Sequence, residues 1–115
     1  MPNPKKLPPT VFGRRLREAR LRAGIPQDKL GVLIGLDEAA SSARISRYES
    51  GIHQPPYSTA QRLAEVLAIP VAYLFSDRDD IAELILKAGK ISAQDVESLC
   101  RMADSLLSQK HLPKA

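Results

Sequence analysis

Cysteine occurs once among the 115 residues, tryptophan not at all, and aromatic residues make up only 4%. A single thiol, Cys100, excludes an internal disulfide and any metal site built on several cysteines. No apolar run approaches the roughly 18 residues of a membrane-crossing helix. Residues 1–9 hold two lysines with no apolar stretch behind them, so they read as a flexible leader and not as a secretory signal. A cytoplasmic, reducing location is the expectation. What is present is 43% hydrophobic residues, mostly Leu, Ile, Val and Ala, beside 26% charged ones. That balance suits a folded chain of helices packed on helices, an all-α fold.

The net charge of +4 is unevenly spread. Through Arg62 there are 11 Lys/Arg against 5 Asp/Glu; from Leu63 onward there are 6 against 8. The basic half suits a polyanion, of which nucleic acid is the commonest. A membrane surface fits less well, because the arginines sit on several short elements and not along one amphipathic helix.

Hydrophobic spacing predicts the elements. Phe12, Leu16, Ala19 and Ala23 share one helical face between Thr10 and Ala23, and Gly24 with Pro26 ends that helix. A second short helix fits 27–34, with Leu30, Leu33 and Ile34 apolar. A third, 37–48, is sparsely apolar, with Ile45 and Tyr48 directed inward and Ser41, Ser42, Arg44, Ser46 and Arg47 small or polar. A helix this polar between two core helices has a face meant for something other than the core. Ser58 is expected to cap a fourth helix over 59–67, and Pro70 begins a fifth short one through Phe75. Two more follow: 79–88, then 92–108, where Ser92 and Asp95 form a capping box and Ile91 and Val96 the accompanying staple. The resulting organisation is a leader (1–9), a five-helix domain (10–76), a C-terminal helical pair (77–109) and a disordered tail (110–115).

The segments GIPQDKLGVLIG, ISRYESG and PPYSTAQRLAEVLAIPVAYLF, in that order, carry a resemblance. Over about 11–75 the chain resembles the lambda-repressor-like helix-turn-helix family, also called Xre or HTH type 3. The resemblance implies a five-helix fold that binds double-stranded DNA, with helix three in the major groove. It implies base contacts from Ser41, Ser42, Ala43 and Arg47, and phosphate contacts from Gln27, Arg44, His53 and Tyr57. It implies a structural salt bridge between Arg20 and Glu49.

The chemistry agrees with those roles. An arginine such as Arg47 can donate two hydrogen bonds to guanine O6 and N7, and the Ala43 methyl can touch a thymine methyl. Gln27, in the first turn of the bracing helix, can meet a phosphate where the helix dipole is positive. The nine residues between Gly35 and Ile45 exceed the family's usual spacing by four. They either lengthen helix three at its N-terminus or widen the turn, and they place Asp37 and Glu38 near the reading surface. Pro26 stands where the family usually caps helix two with Ser or Thr.

Val96, Leu99, Ala103 and Leu106 form a narrow seam on the last helix. The seam either closes a homodimer or packs back on Ile81, Leu84 and Ile85, and Cys100 is expected there as a buried small hydrophobe. The leading expectation is a sequence-specific, dimeric transcriptional regulator, most simply a repressor. An antitoxin holding a protein partner through the C-terminal helices, and a protein-interaction module reusing the fold, are the alternatives. No cofactor or metal is expected: His53 has only His111 as a fellow histidine. No catalysis is expected either. Gly89-Lys90 does not complete a phosphate-binding loop, because position 84 is Leu84, and no nucleophile has a nearby histidine.

Overall fold

The computed structural model describes residues 9–109, and the leader and tail expectations for 1–8 and 110–115 lie outside them. Among the described residues every regular element is a helix: α1 (Val11–Ala23), α2 (Gln27–Leu33), α3 (Glu38–Ser50), α4 (Tyr57–Leu67), a 3-10 turn (Val71–Phe75), α5 (Asp79–Ala88) and α6 (Ala93–Gln109).

Local chemistry sets the ends of α1. The Thr10 hydroxyl accepts from the Gly13 amide at 2.9 Å, satisfying one of the orphan donors of the first turn. Gly24 closes the helix in the left-handed region at φ 70°. One expected start moves. Pro56, not Ser58, precedes the first residue of α4, so Tyr57 opens it with no side-chain cap. A proline pre-sets the backbone just outside a helix, and its carbonyl accepts from Thr59 and Ala60. The residues inserted before Ile45 lengthen α3, which begins at Glu38 and leaves only 34–37 as the turn from α2.

The core gathers Phe12, Leu16, Leu30, Ile45, Leu63 and Leu74 from α1 to α4 and the 3-10 turn. Ala23, expected inward, is exposed, as is Leu33. Tight helix approaches fix the geometry of α1, α2 and α3. A Cβ at Gly13 would lie 2.7 Å from the Tyr48 carbonyl oxygen, so the backbone of α1 touches the end of α3. A Cβ at Gly31 would fall on the Ser41 side chain, so α2 and α3 cross with almost nothing between them.

α5 belongs to this body by burial. Its Ala82 and Leu86 join the core. Its first residue, Asp79, accepts a hydrogen bond from the buried Arg15 guanidinium at 2.8 Å. Arg15 also donates to the Ser76 carbonyl at 2.8 Å and lies over the Tyr73 ring. α6 differs: none of its residues is buried. Of the residues onto which the C-terminal seam was expected to pack, Ile81 and Leu84 are exposed and Ile85 is half-buried, and in the seam itself only Val96 and Leu99 are half-buried. Cys100 is exposed too, contrary to the buried hydrophobe expected.

Candidate nucleic-acid interface

α3 turns Ser41, Ile45, Tyr48 and Glu49 into the body and leaves Ser42, Ala43, Arg44, Ser46 and Arg47 in solvent. The division follows the helical period, since residues four apart share a face. Ser41 is therefore removed from the base-contact set. It is fully buried, and its hydroxyl donates to the Asp28 carbonyl of α2. It sits four residues before Ile45 and shares that residue's inward direction.

A connected set of polar side chains orients what remains. Arg20 grips Glu49 with two hydrogen bonds, Nε to Oε2 at 2.5 Å and Nη2 to Oε1 at 3.1 Å. Both side chains are about nine-tenths buried, at 10% and 6% exposure. Two parallel bonds fix the plane of the carboxylate. Glu49 Oε1 also accepts from the Gln27 amide nitrogen at 3.1 Å. The Gln27 carbonyl in turn accepts from the Ser42 hydroxyl at 3.5 Å. A chain of four side chains thus runs from α1 through the end of α3 and the start of α2 to the exposed face of α3. Gln27 spends one amide hydrogen on Glu49 and keeps the other for an outside acceptor. It does so at the first residue of α2, where backbone N–H groups and the helix dipole favour an anion.

On the opposite flank of α3, Arg44 and Arg47 line a shallow cleft with His53, Gln54, Pro55 and Pro56. The His53 amide donates to the Arg47 carbonyl at 3.2 Å, which ties the loop after α3 to its last turn. The structure therefore brings Arg44, Arg47 and His53 together. Tyr57 stands apart from that cleft, exposed on the first turn of α4.

Sequence reasoning missed the groove between α1 and α3. Arg14, Arg17, Gln27, Ser42, Ser46 and Ile52 line it, and Glu18 and Asp28 bring negative charge to the same place. Its signal was Gly13, a glycine inside a helix, which brings the two backbones together and sets Arg17, one turn on, beside α3. Arg14 is only partly available, because its guanidinium also meets Asp79 at 3.3 Å. Among the described residues, no group of three or more His, Cys, Asp or Glu side chains is placed to hold a metal ion. No described helix is long and apolar enough to cross a membrane.

Comparison with known proteins places this arrangement. Residues 11–74 match the family model of a helix-turn-helix domain. Two curated relatives, each an uncharacterised HTH-type transcriptional regulator, are 32% identical over 65 residues, one from Sinorhizobium medicae (strain WSM419) and one from Rhizobium meliloti (strain 1021). The match covers 56% of this chain and 44% of each relative, so the chain spans under half the length of the curated relatives it matches. The crystal structure of the transcriptional regulator BswR superposes with a TM-score of 0.78 at 43% identity, covering 85% of this chain and 97% of that one. With the family model spanning more than half of the chain over the very elements that hold Gln27 and Arg47, this protein belongs to the helix-turn-helix domain family.

Proposed function

We propose that the chain is a sequence-specific DNA-binding transcriptional regulator, acting as a repressor from the cytoplasm on nucleoid DNA. It reads the major groove with α3 and binds paired half-sites as a homodimer. The observation that carries the reading is the outward face of α3: Ser42, Ala43 and Arg47 are exposed on a helix whose other side is clamped by Arg20, Glu49 and Gln27. In this reading Ser42, Ala43 and Arg47 meet base edges, with Ser46 beside them. Gln27, Arg44, His53 and Tyr57 meet phosphates, and Arg17 joins them from α1. The DNA backbone is read from the N-termini of α2 and α4 and from the loop between α3 and α4.

A protein-interaction module that reuses the fold would want an apolar α3. Here that face is serine, alanine and arginine.

Selection from random duplexes at two salt concentrations tests the proposal. Enrichment of a two-fold symmetric motif, with affinity falling steeply as salt rises, is the expected result. Equal recovery of every duplex at both salt concentrations would end the reading.

A further inference from the structure

Arg14 and Arg17 stand three residues apart on α1, neighbours on the wall of the groove that α3 lines with Ser42 and Ser46. Their surroundings differ. Arg17 is exposed. Arg14 is tied to the first residue of α5: its Nη1 donates to Asp79 Oδ1 at 3.3 Å. The same oxygen accepts from Arg15 Nη2 at 2.8 Å.

The two bonds are unequal. Arg15 has only 3% of its side chain exposed, and its guanidinium is held as well by the Ser76 carbonyl and by Glu18 Oε1 at 3.2 Å. Arg14 keeps 41% of its side chain in solvent, and Asp79 keeps 83%. The Arg15 bond is therefore the structural one, fixing the start of α5 on α1. The Arg14 bond is longer, wetter and made to an oxygen that Arg15 already satisfies. Releasing Arg14 strands no buried group, because Arg15 stays on Asp79 and the freed guanidinium stands in water.

A nucleic-acid phosphate offers that guanidinium a full negative charge and two acceptor oxygens. Those match its planar fork better than one shared carboxylate oxygen does. Arg20 lines the same groove but is buried on Glu49, so it is not exchangeable. The acids of the groove are occupied elsewhere: Glu18 pairs with Arg15, and the Asp28 carboxylate accepts from the Lys29 amide at 2.9 Å. Arg14 is thus a groove cation whose only tie is an exposed and replaceable one.

We infer that Arg14 is a phosphate-binding residue held in check by Asp79. The duplex backbone and the Asp79 carboxylate compete for one guanidinium, and the first residue of α5 thereby sets the strength of DNA binding. The inference deepens the proposed function and rests on it for the presence of DNA.

Affinities of the full chain for its selected duplex and for an unrelated duplex test it in Asp79→Asn, Arg14→Ala and the double variant. Asparagine keeps an acceptor for Arg15 and loses the charge. Asp80→Asn is the control, because Asp80 is the next residue and pairs with Arg78 at 2.7 Å instead. Loss of an exposed ion pair predicts that Asp79→Asn tightens binding about three- to fivefold. Both duplexes gain alike, since phosphates carry no sequence information. The slope of log affinity against log salt steepens by up to about 0.9, one phosphate contact. Asp80→Asn changes either affinity by less than about twofold, as a screened surface charge should. In the Arg14→Ala background the gain from Asp79→Asn disappears.

Should Asp79→Asn loosen α5 enough to unfold the chain, the wild type carries the test. The Arg14 guanidinium NMR signals, identified by their loss in Arg14→Lys, then shift as duplex is added, while those of Arg15 hold still. Three results overturn the inference and leave DNA binding by the wild type standing: a gain no larger than that of Asp80→Asn, a gain that survives Arg14→Ala, or Arg14 signals indifferent to duplex. A wild type that binds neither duplex counts against the proposed function itself and takes this inference with it.

Discussion

Ser41 and Ser42 are adjacent and chemically identical, yet a rotation of 100° gives them opposite fates. One is sealed under α2 with its hydroxyl on the Asp28 carbonyl; the other faces solvent within reach of Gln27. Ser41→Ala leaves that carbonyl without its donor and is expected to cost about 1–3 kcal/mol, read as a lower urea midpoint, with base preference unchanged. Ser42→Ala should leave stability within about 0.5 kcal/mol and alter the selected sequence. Glu49 has a harder constraint. Glu49→Ala strands the Arg20 guanidinium in a buried site, at an expected loss of about 3–5 kcal/mol, measured by denaturant unfolding. The same change frees the Gln27 amide. Arg47→Ala is expected to relax preference at one base pair by about 1–3 kcal/mol, whereas Gln27→Ala weakens all sequences alike. Equal effects of both changes at every site would contradict this division of roles.

At the scale of elements, the ends of α1, α3 and α5 were legible because each of these helices buries a stripe of period 3.6 and ends at Gly, whereas α4 ends at Ala68. Gly24, Gly51 and the α5 range follow from those signals directly. The inward turn of Ser41 was legible too, four residues before Ile45, but counting back along the family pattern ignored that period. The crossing of α2 and α3 was not legible, because nothing in a sequence shows that Gly31 faces Ser41. That contact sets the angle at which α3 is presented. Gly31→Ala pushes a methyl into it and is expected to cost about 1–3 kcal/mol of stability. Relief by Ser41→Gly in the double variant, seen as non-additive unfolding energies, would tie the loss to this pair. The sequence also announced an apolar seam on α6 without naming its cover, since periodicity reports which side is apolar and not what lies against it.

Across the whole molecule, a basic body and an acidic C-terminal end meet at the Arg15–Asp79 clamp. Hydrogen bonds from Arg15, and next from Arg14, hold the Asp79 carboxyl below the usual carboxylate range. On the arginine side, burial works against the charge of Arg15. The hydrogen bond to Asp79 and the nearby acidic groups outweigh it and raise its pKa. A carboxylate whose folded pKa lies below its unfolded value stabilises the fold fully above the ordinary value of about 3.9 and loses that contribution as pH falls through the folded one. Urea midpoints should therefore be insensitive to Asp79 titration near neutrality and should fall in acid. Asp79→Asn should remove part of that acid slope while lowering the midpoint at pH 7. The separation of charge has a consequence for binding as well. If phosphates are met only by the body, salt sensitivity belongs to its cations. Arg44→Ala should lower the slope of log affinity against log salt by about 1, while Glu97→Gln on α6 should leave that slope unchanged on a half-site duplex. A shift of the slope by Glu97→Gln as large as that of Arg44→Ala would place α6 against the DNA and undo the separation of roles between the two ends of the chain.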